Sequence, residues 1–162
     1  MILLPLLLLA SVVDQKASDK LPPANPLPPP VSEEGQVMAP INMMFDGLAR
    51  RDSTIILAAM RPDATAIVAA EKPDGTRSVR RLTGADFAAG VKPGPERFEE
   101  RLSDPAIEID GDIAMVWSPY TFLIDGKVHH CGVDHFDLVR ESGSWKVANV
   151  TWSSRTTGCA TQ

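Results

Sequence analysis

From Arg97 onward the chain is a run of strand-like segments joined by very short connections. The segments are "RFEERLSDPAIEI", "IAMVWSPYTFLI", "KVHHCGVDHFDLVR" and "WKVANVTWSS", and "DGD", "DG" and "ESGS" separate them. Connections of that length and composition are hairpin turns. The C-terminal half is therefore expected to be an antiparallel meander of four long strands.

Helical signals come before it. Ser32 is placed to cap a helix through "EEGQVMAPINMMFDGLARRD", with Glu33 and Glu34 in the first turn where the helix dipole favours them. Val37, Ile41, Met44, Phe45 and Leu48 recur at helical spacing and give one apolar face. Pro40 is expected to kink this helix or to mark its first turn. Asp52 or Ser53 caps a second short helix, "TIILAAM", which Pro62 ends. "ATAIVAAE" and "TRSVRRL" read as strands joined across the turn "KPDG", and Thr83 caps a third helix, "GADFAAGV". Helices first and a sheet afterwards is an α+β pattern.

Turn length sets hairpin register. A two-residue turn at Asp125-Gly126 pairs Leu123 with Val128, and so Thr121 with His130, Trp117 with Asp134 and Met115 with Phe136. A three-residue turn at 110–112 places Ile109 opposite Ile113 and Ile107 opposite Met115. Leu138 opposite Val147 puts Phe136 opposite Asn149 and Asp134 opposite Thr151. One face then carries Ile107, Ile109, Ile113, Met115, Trp117, Phe136, Leu138, Trp145 and Val147, with Thr121, His130, Asp134, Asn149 and Thr151 gathered at one end. Apolar at one end and polar at the other, this face suits a sheet wrapped around helices, with a pocket at its mouth. The opposite face, with Val116, Tyr120, Phe122, Val133, Val150 and Trp152, is apolar enough for a second subunit to cover.

Upstream of the domain, "MILLPLLLLASVV" is an apolar run too short to span a bilayer, which takes about 20 residues. It matches the apolar core of a secretory signal peptide, although no Lys or Arg precedes it. Residues 1–18 are read as the signal and residues 19–31, containing "LPPANPLPPP", as an extended proline-rich linker. Residues 32–162 are read as the folded domain, and the protein as periplasmic or secreted, with no further membrane attachment. Net charge is −5 and there is no basic run, which argues against a nucleic-acid partner.

All three histidines lie in "VHHCGVDHFDLV". A metal site is the tempting reading, but alternation sends His129 and His130 to opposite faces, and no C-x-x-C or H-x-x-x-H spacing is present. No metal and no cofactor are expected. Asp134, enclosed beside an indole, would have a raised pKa and serve as a general base, or else be hydrogen-bonded and only shape a cavity. His130 lies four residues before it on the same face, too far for contact in an ideal strand unless Gly132 marks a bulge. Cys131 and Cys159 are the only cysteines, and export invites a disulfide between them.

The segments "PINMMFDGLARRD", "DGDIAMVWSPYTFLIDGK" and "HHCGVDHFDLVRESGSWKVANVTWS" resemble the nuclear transport factor 2-like (NTF2-like) superfamily. The likeness is nearest to its lumazine-binding-like and SnoaL-like bacterial branch. The resemblance implies a cone-shaped α+β (cystatin-like) barrel, a pocket between helices and concave sheet, and often a homodimer through the outer sheet face. It does not imply one chemistry. Family enzymes set an Asp inside the cone, and Asp134 is the match here, with His130 beyond it. The expected ligand is small and apolar or aromatic, held by Trp117, Met115, Thr121, Phe136, Asn149, Met44 and Phe45. The alternatives are a cofactor-independent isomerase, cyclase or dehydratase using Asp134, and an interaction domain with a collapsed cavity.

Overall fold

The computed structural model describes residues 32–159 of the 162. The expected signal segment and the linker up to Val31 lie outside the described residues.

Helix α1 spans Glu33–Arg50, α2 Ser53–Ala59 and α3 Gly84–Gly90. The three predicted caps are in place. Ser32 accepts from the Gly35 amide, Asp52 from Thr54 and Thr83 from Asp86, each satisfying a first-turn donor that lacks a helical partner. Helix α1 runs through Pro40 and ends at Arg51, which takes the left-handed conformation at φ 56°. The Gly47 carbonyl then receives the Asp52 amide, and Gly47 itself lets Ile56 of α2 pack directly on α1.

The strands are β1 (Met60–Glu71), β2 (Arg77–Thr83), β3 (Phe98–Leu102), β4 (Ala106–Asp110), β5 (Ile113–Ile124), β6 (Lys127–Glu141) and β7 (Ser144–Arg155). The sheet order is β2-β1-β7-β6-β5-β3, with β4 also on β5. Pairing is antiparallel except between β1 and β7. The long segment from Arg97 to Ile109 is thus two strands broken at Ser103–Pro105, each lying along a different half of β5. Ser118 fixes that break: its buried hydroxyl donates to the Ser103 carbonyl and accepts from the Ser103 amide. Pro62 lies within β1 rather than after a longer α2, at a register irregularity where its missing N–H costs no ladder bond.

The curved sheet wraps the helices, giving a cone-shaped α+β fold with an unclosed sheet. The core lies between them: Val37, Ile41 and Met44 of α1 and Ile56 of α2 pack against the face carrying Val116, Phe136, Leu138 and Val147.

The predicted registers are half right, for a definite reason. Leu123 pairs with Val128 and Leu138 with Val147, as the turns require. Beyond each of these pairs a β-bulge adds one residue, His129 in β6 and Ala148 in β7. The first hairpin is also tighter than expected, with Asp110 opposite Ile113. Every later pair shifts by one: Asp134 faces Ser118 and Trp152, not Trp117 and Thr151. A shift of one exchanges the faces of a strand. Val116, Tyr120, Phe122, Val150 and Trp152 therefore turn towards the concave side. Met115, Trp117, Thr121, Asn149 and Thr151 turn to the convex side, opposite to expectation. On β6 the assignment stands, with Asp134, Phe136 and Leu138 buried.

Cys131 is joined to Cys159, tying the C-terminal tail to the convex side of β6.

Candidate functional site in the cone

A cavity of about 190 Å³ opens between α1, α3 and the concave sheet. All five phenylalanines of the chain line it: Phe45 from α1, Phe87 from α3, Phe98 from β3, Phe122 from β5 and Phe136 from β6. The single tyrosine, Tyr120, and Trp152 complete the aromatic wall. The rings brace one another. Phe45 meets Phe136 edge-on at 6.2 Å, Phe87 meets Trp152 at 5.6 Å, and Phe98 meets Phe122 at 5.3 Å between centroids. Such contacts fix ring orientation as well as adding burial.

Arg51 holds one wall. The left-handed turn at its Cα throws the side chain across the loop before β3. There it donates to the Lys92 carbonyl at 2.6 Å, pairs with Glu96 at 2.6 Å and stacks 4.0 Å over the Phe98 ring.

Two carboxyls reach the cavity. Asp134 is 2% exposed, and its Oδ2 is enclosed without a hydrogen-bond partner. Glu100, on β3, faces it closely enough to share a hydrogen bond. Burial pushes both carboxyls up: Glu100 to about 7, and Asp134 well above the usual carboxylate range, with the neighbouring Glu100 charge adding to the effect. Two such groups share a proton rather than both ionising. Tyr120, on β5, is pushed up by burial and by these two charges, so it stays protonated and donates to the Ser153 carbonyl at 3.0 Å.

His130 lies at the rim, 4.8 Å from the Phe122 ring and 5.6 Å from that of Tyr120. Desolvation lowers its pKa to about 4, with the His129 charge a lesser cause. The neutral ring shares a 2.8 Å Nδ1–Nδ1 hydrogen bond with His129, across the bulge.

Of the residues expected at the site, Asp134, His130, Phe136, Met44 and Phe45 line this cavity together. Trp117, Met115, Thr121 and Asn149 do not. Trp117 lies against His135 on the convex face, the rings tilted with centroids 5.8 Å apart, and is 51% exposed. Asn149 joins a convex-face network, accepting from Thr65 and donating to Asp137 and Thr151. Gly132 marks no bulge; it admits the Ser153 backbone. Glu100 is the residue that sequence reasoning missed. Its signal was present: Phe98, Glu100 and Leu102 share one face of β3, and an acid between two apolar neighbours on a core face is out of place. Among the described residues no group of His, Cys, Asp and Glu is arranged to hold a metal ion, and no helix is long and apolar enough to cross a membrane.

The family model described as "Putative lumazine-binding" matches residues 32–153. The chain belongs to this family. Solved structures place the lumazine-binding-like domain in the NTF2-like fold. An NTF2-like protein from Shewanella baltica is 17% identical with a TM-score of 0.57, the match covering 79% of this chain and 98% of the other. An NTF2-like protein from Cytophaga hutchinsonii is 13% identical with a TM-score of 0.59, covering 76% and 98%. A protein of cystatin-like fold from Nostoc punctiforme is 13% identical at 0.58, covering 76% and 92%. No curated protein matches the chain.

Proposed function

We propose that this domain binds a compact, flat molecule of one ring or two small fused rings in the aromatic cone. The observation that carries the reading is the convergence of all five phenylalanines and the tyrosine on one cavity that side chains leave unfilled. The size follows from volume. An apolar void of about 150 Å³ takes up benzene, and this one is about 190 Å³. The family description points to the same class of flat ring compound. Export to the periplasm is part of the reading, and the Cys131–Cys159 bridge supports it, because disulfides persist in oxidising compartments. A homodimer through the convex face fits the exposed Trp117 and Ile113.

The test uses Trp152, which lines the cavity while the other two tryptophans do not. Lumazine, benzyl alcohol and other one- and two-ring aromatics are titrated against intrinsic fluorescence, with Trp152→Phe as the blank. Saturable change lost in Trp152→Phe is expected. No response from any compound, with no rise in melting temperature, defeats the reading.

One observation favours a second reading, a cofactor-independent isomerase, cyclase or dehydratase. A carboxyl held near neutrality is suited to proton transfer, and here that group is Glu100, with Asp134 the more strongly raised neighbour. In this reading Glu100 takes the proton that sequence reasoning gave to Asp134. Turnover of a cyclic ketone that disappears in Glu100→Gln while binding persists would establish it.

A further inference from the structure

The cavity is one-sided in charge. Its lining holds the two carboxyls Glu100 and Asp134 and no lysine or arginine. The enclosed Asp134 Oδ2 lacks a donor. Around the pair stand Phe45, Phe122, Phe136 and Trp152, whose π faces attract cations and repel anions; one face of Phe98 is already covered by Arg51. A neutral apolar ligand would leave the buried oxygen unpaired or protonated, at a cost. A cation gains from the carboxyls and the rings together.

We infer that the ligand carries a positive charge: it is an organic ammonium of about one-ring size, its charged head on the Glu100–Asp134 pair and its body between the aromatic walls. The inference rests on the reading of the cone as a ligand cavity and specifies the class of ligand.

The groups facing the pair from each packed element leave this place to the ligand. Helix α1 contributes Met44, Phe45 and Leu48, and the α3 side contributes Phe87 and Val91, none of them titratable; Arg51 at the end of α1 lies over Phe98 but outside the lining, and it is paired with Glu96. Strand β5 contributes the protonated Tyr120 and β6 the neutral His130. Arg155 of β7 acts on Tyr120 at longer range but does not line the cavity. The chain's net charge of −5 favours the approach of cations. An ammonium group bound at the pair stabilises its ionised form, so binding near pH 7 expels a proton to solvent.

Calorimetric titration with benzylammonium and with benzyl alcohol, its uncharged near-equal in size, tests this. At pH 8 benzylammonium is expected to bind at least about tenfold tighter, the scale of one desolvated cation–π contact. The gap should narrow at pH 5.5. Titrations at pH 7 in buffers of different ionisation heat should show proton release of up to one per site. Glu100→Gln should lose the preference for the cation while still binding benzyl alcohol; if that variant does not fold, the proton count and the wild-type comparison decide. Benzyl alcohol binding equally well or better, or proton uptake with benzylammonium, overturns the inference and leaves the cavity reading standing. Failure of both compounds and of every neutral aromatic defeats the two together.

Discussion

Gly132 and Ser153 approach so closely that a Cβ built on Gly132 would lie 1.9 Å from the Ser153 carbonyl oxygen. The same Ser153 accepts the Val133 amide through its hydroxyl and the Tyr120 hydroxyl through its carbonyl. One serine thus links three strands behind the cavity, and only glycine leaves it room. Gly132→Ala should destabilise the fold by about 3 kcal/mol or more, because backbone rather than a flexible side chain must give way. Gly90→Ala meets nothing within 4 Å and should be near neutral. Urea unfolding of the two variants is the comparison, and equal midpoints would refute the account.

The bulges make a sharp contrast between two aromatic residues. Phe136 is 1% exposed in the concave core, so Phe136→Ala should cost about 3–5 kcal/mol and abolish ring binding. Trp117 is on the convex face, so Trp117→Ala should change monomer stability by roughly 0.5 kcal/mol or less. A Trp117 variant that loses ligand affinity would restore the unbulged register.

The bridge between Cys131 and Cys159 closes a separation of 28 residues. In the chain-entropy model a loop of that size contributes roughly 3–4 kcal/mol. Reduction should lower the melting temperature by about 10 °C. Replacing both cysteines with serine should give the same lowered value and remove any further effect of reductant.

Stability should depend on pH through two raised carboxyls, Glu100 and Asp134, opposed by one lowered histidine, His130. Glu100 is raised from 4.5 to about 7, so its contribution is full below 4.5 and is lost as pH rises through 7. His130 is lowered from 6.5 to about 4, so its contribution is present above 6.5 and lost as pH falls through 4. Between about 4.5 and 6.5 the His130 slope offsets that of Glu100 and leaves the decline from the raised Asp134. Above about pH 6.5 the carboxyl effect stands alone and stability declines. Glu100→Gln should flatten that decline, and adding Asp134→Asn should flatten it further. Melting temperatures from pH 4 to 8 would show it; a wild-type curve that rises beyond pH 6.5 would contradict the carboxyl pair.

Arg51 combines a left-handed backbone with a clamp on the loop before β3. Arg51→Gly keeps the backbone turn but frees the loop, while Arg51→Lys keeps a charge but loses the planar fork. Both should raise amide exchange across residues 92–97 and weaken ring binding through Phe98. Exchange unchanged in Arg51→Gly would show that the clamp holds nothing.

The helices, their caps and the antiparallel succession of the C-terminal hairpins were legible because each rests on local signals: Ser32, Asp52 and Thr83 before apolar periods, and Asp125-Gly126 at a turn; the parallel pairing of β1 with β7 and the split of 97–109 into β3 and β4 were not. The faces of β5 and the outer half of β7 were not legible. A bulge at His129 or Ala148 leaves no mark in residue type, since neither is a glycine or proline, and tertiary packing decides where the extra residue goes. Asp134 was readable from β6 alone. Its partner Glu100 shows in the sequence only as an acid between Phe98 and Leu102; that it meets Asp134 depends on the curvature that brings β3 and β6 over the same cavity.

The two bulges also divide the sheet into halves whose phases are set separately. Near the turns the hairpin chemistry dictates which residues face inward; past His129 and Ala148 that choice is made again. Straightening the bulge with Ala148 kept in the ladder would exchange Val150 and Trp152 for Asn149 and Thr151 along the wall of the cone, while Trp145 and Val147 stayed in the core; deleting Ala148 would leave the present pairs in place. A scaffold of this kind can change what its interior recognises by where a bulge is placed along a strand, without replacing any side chain.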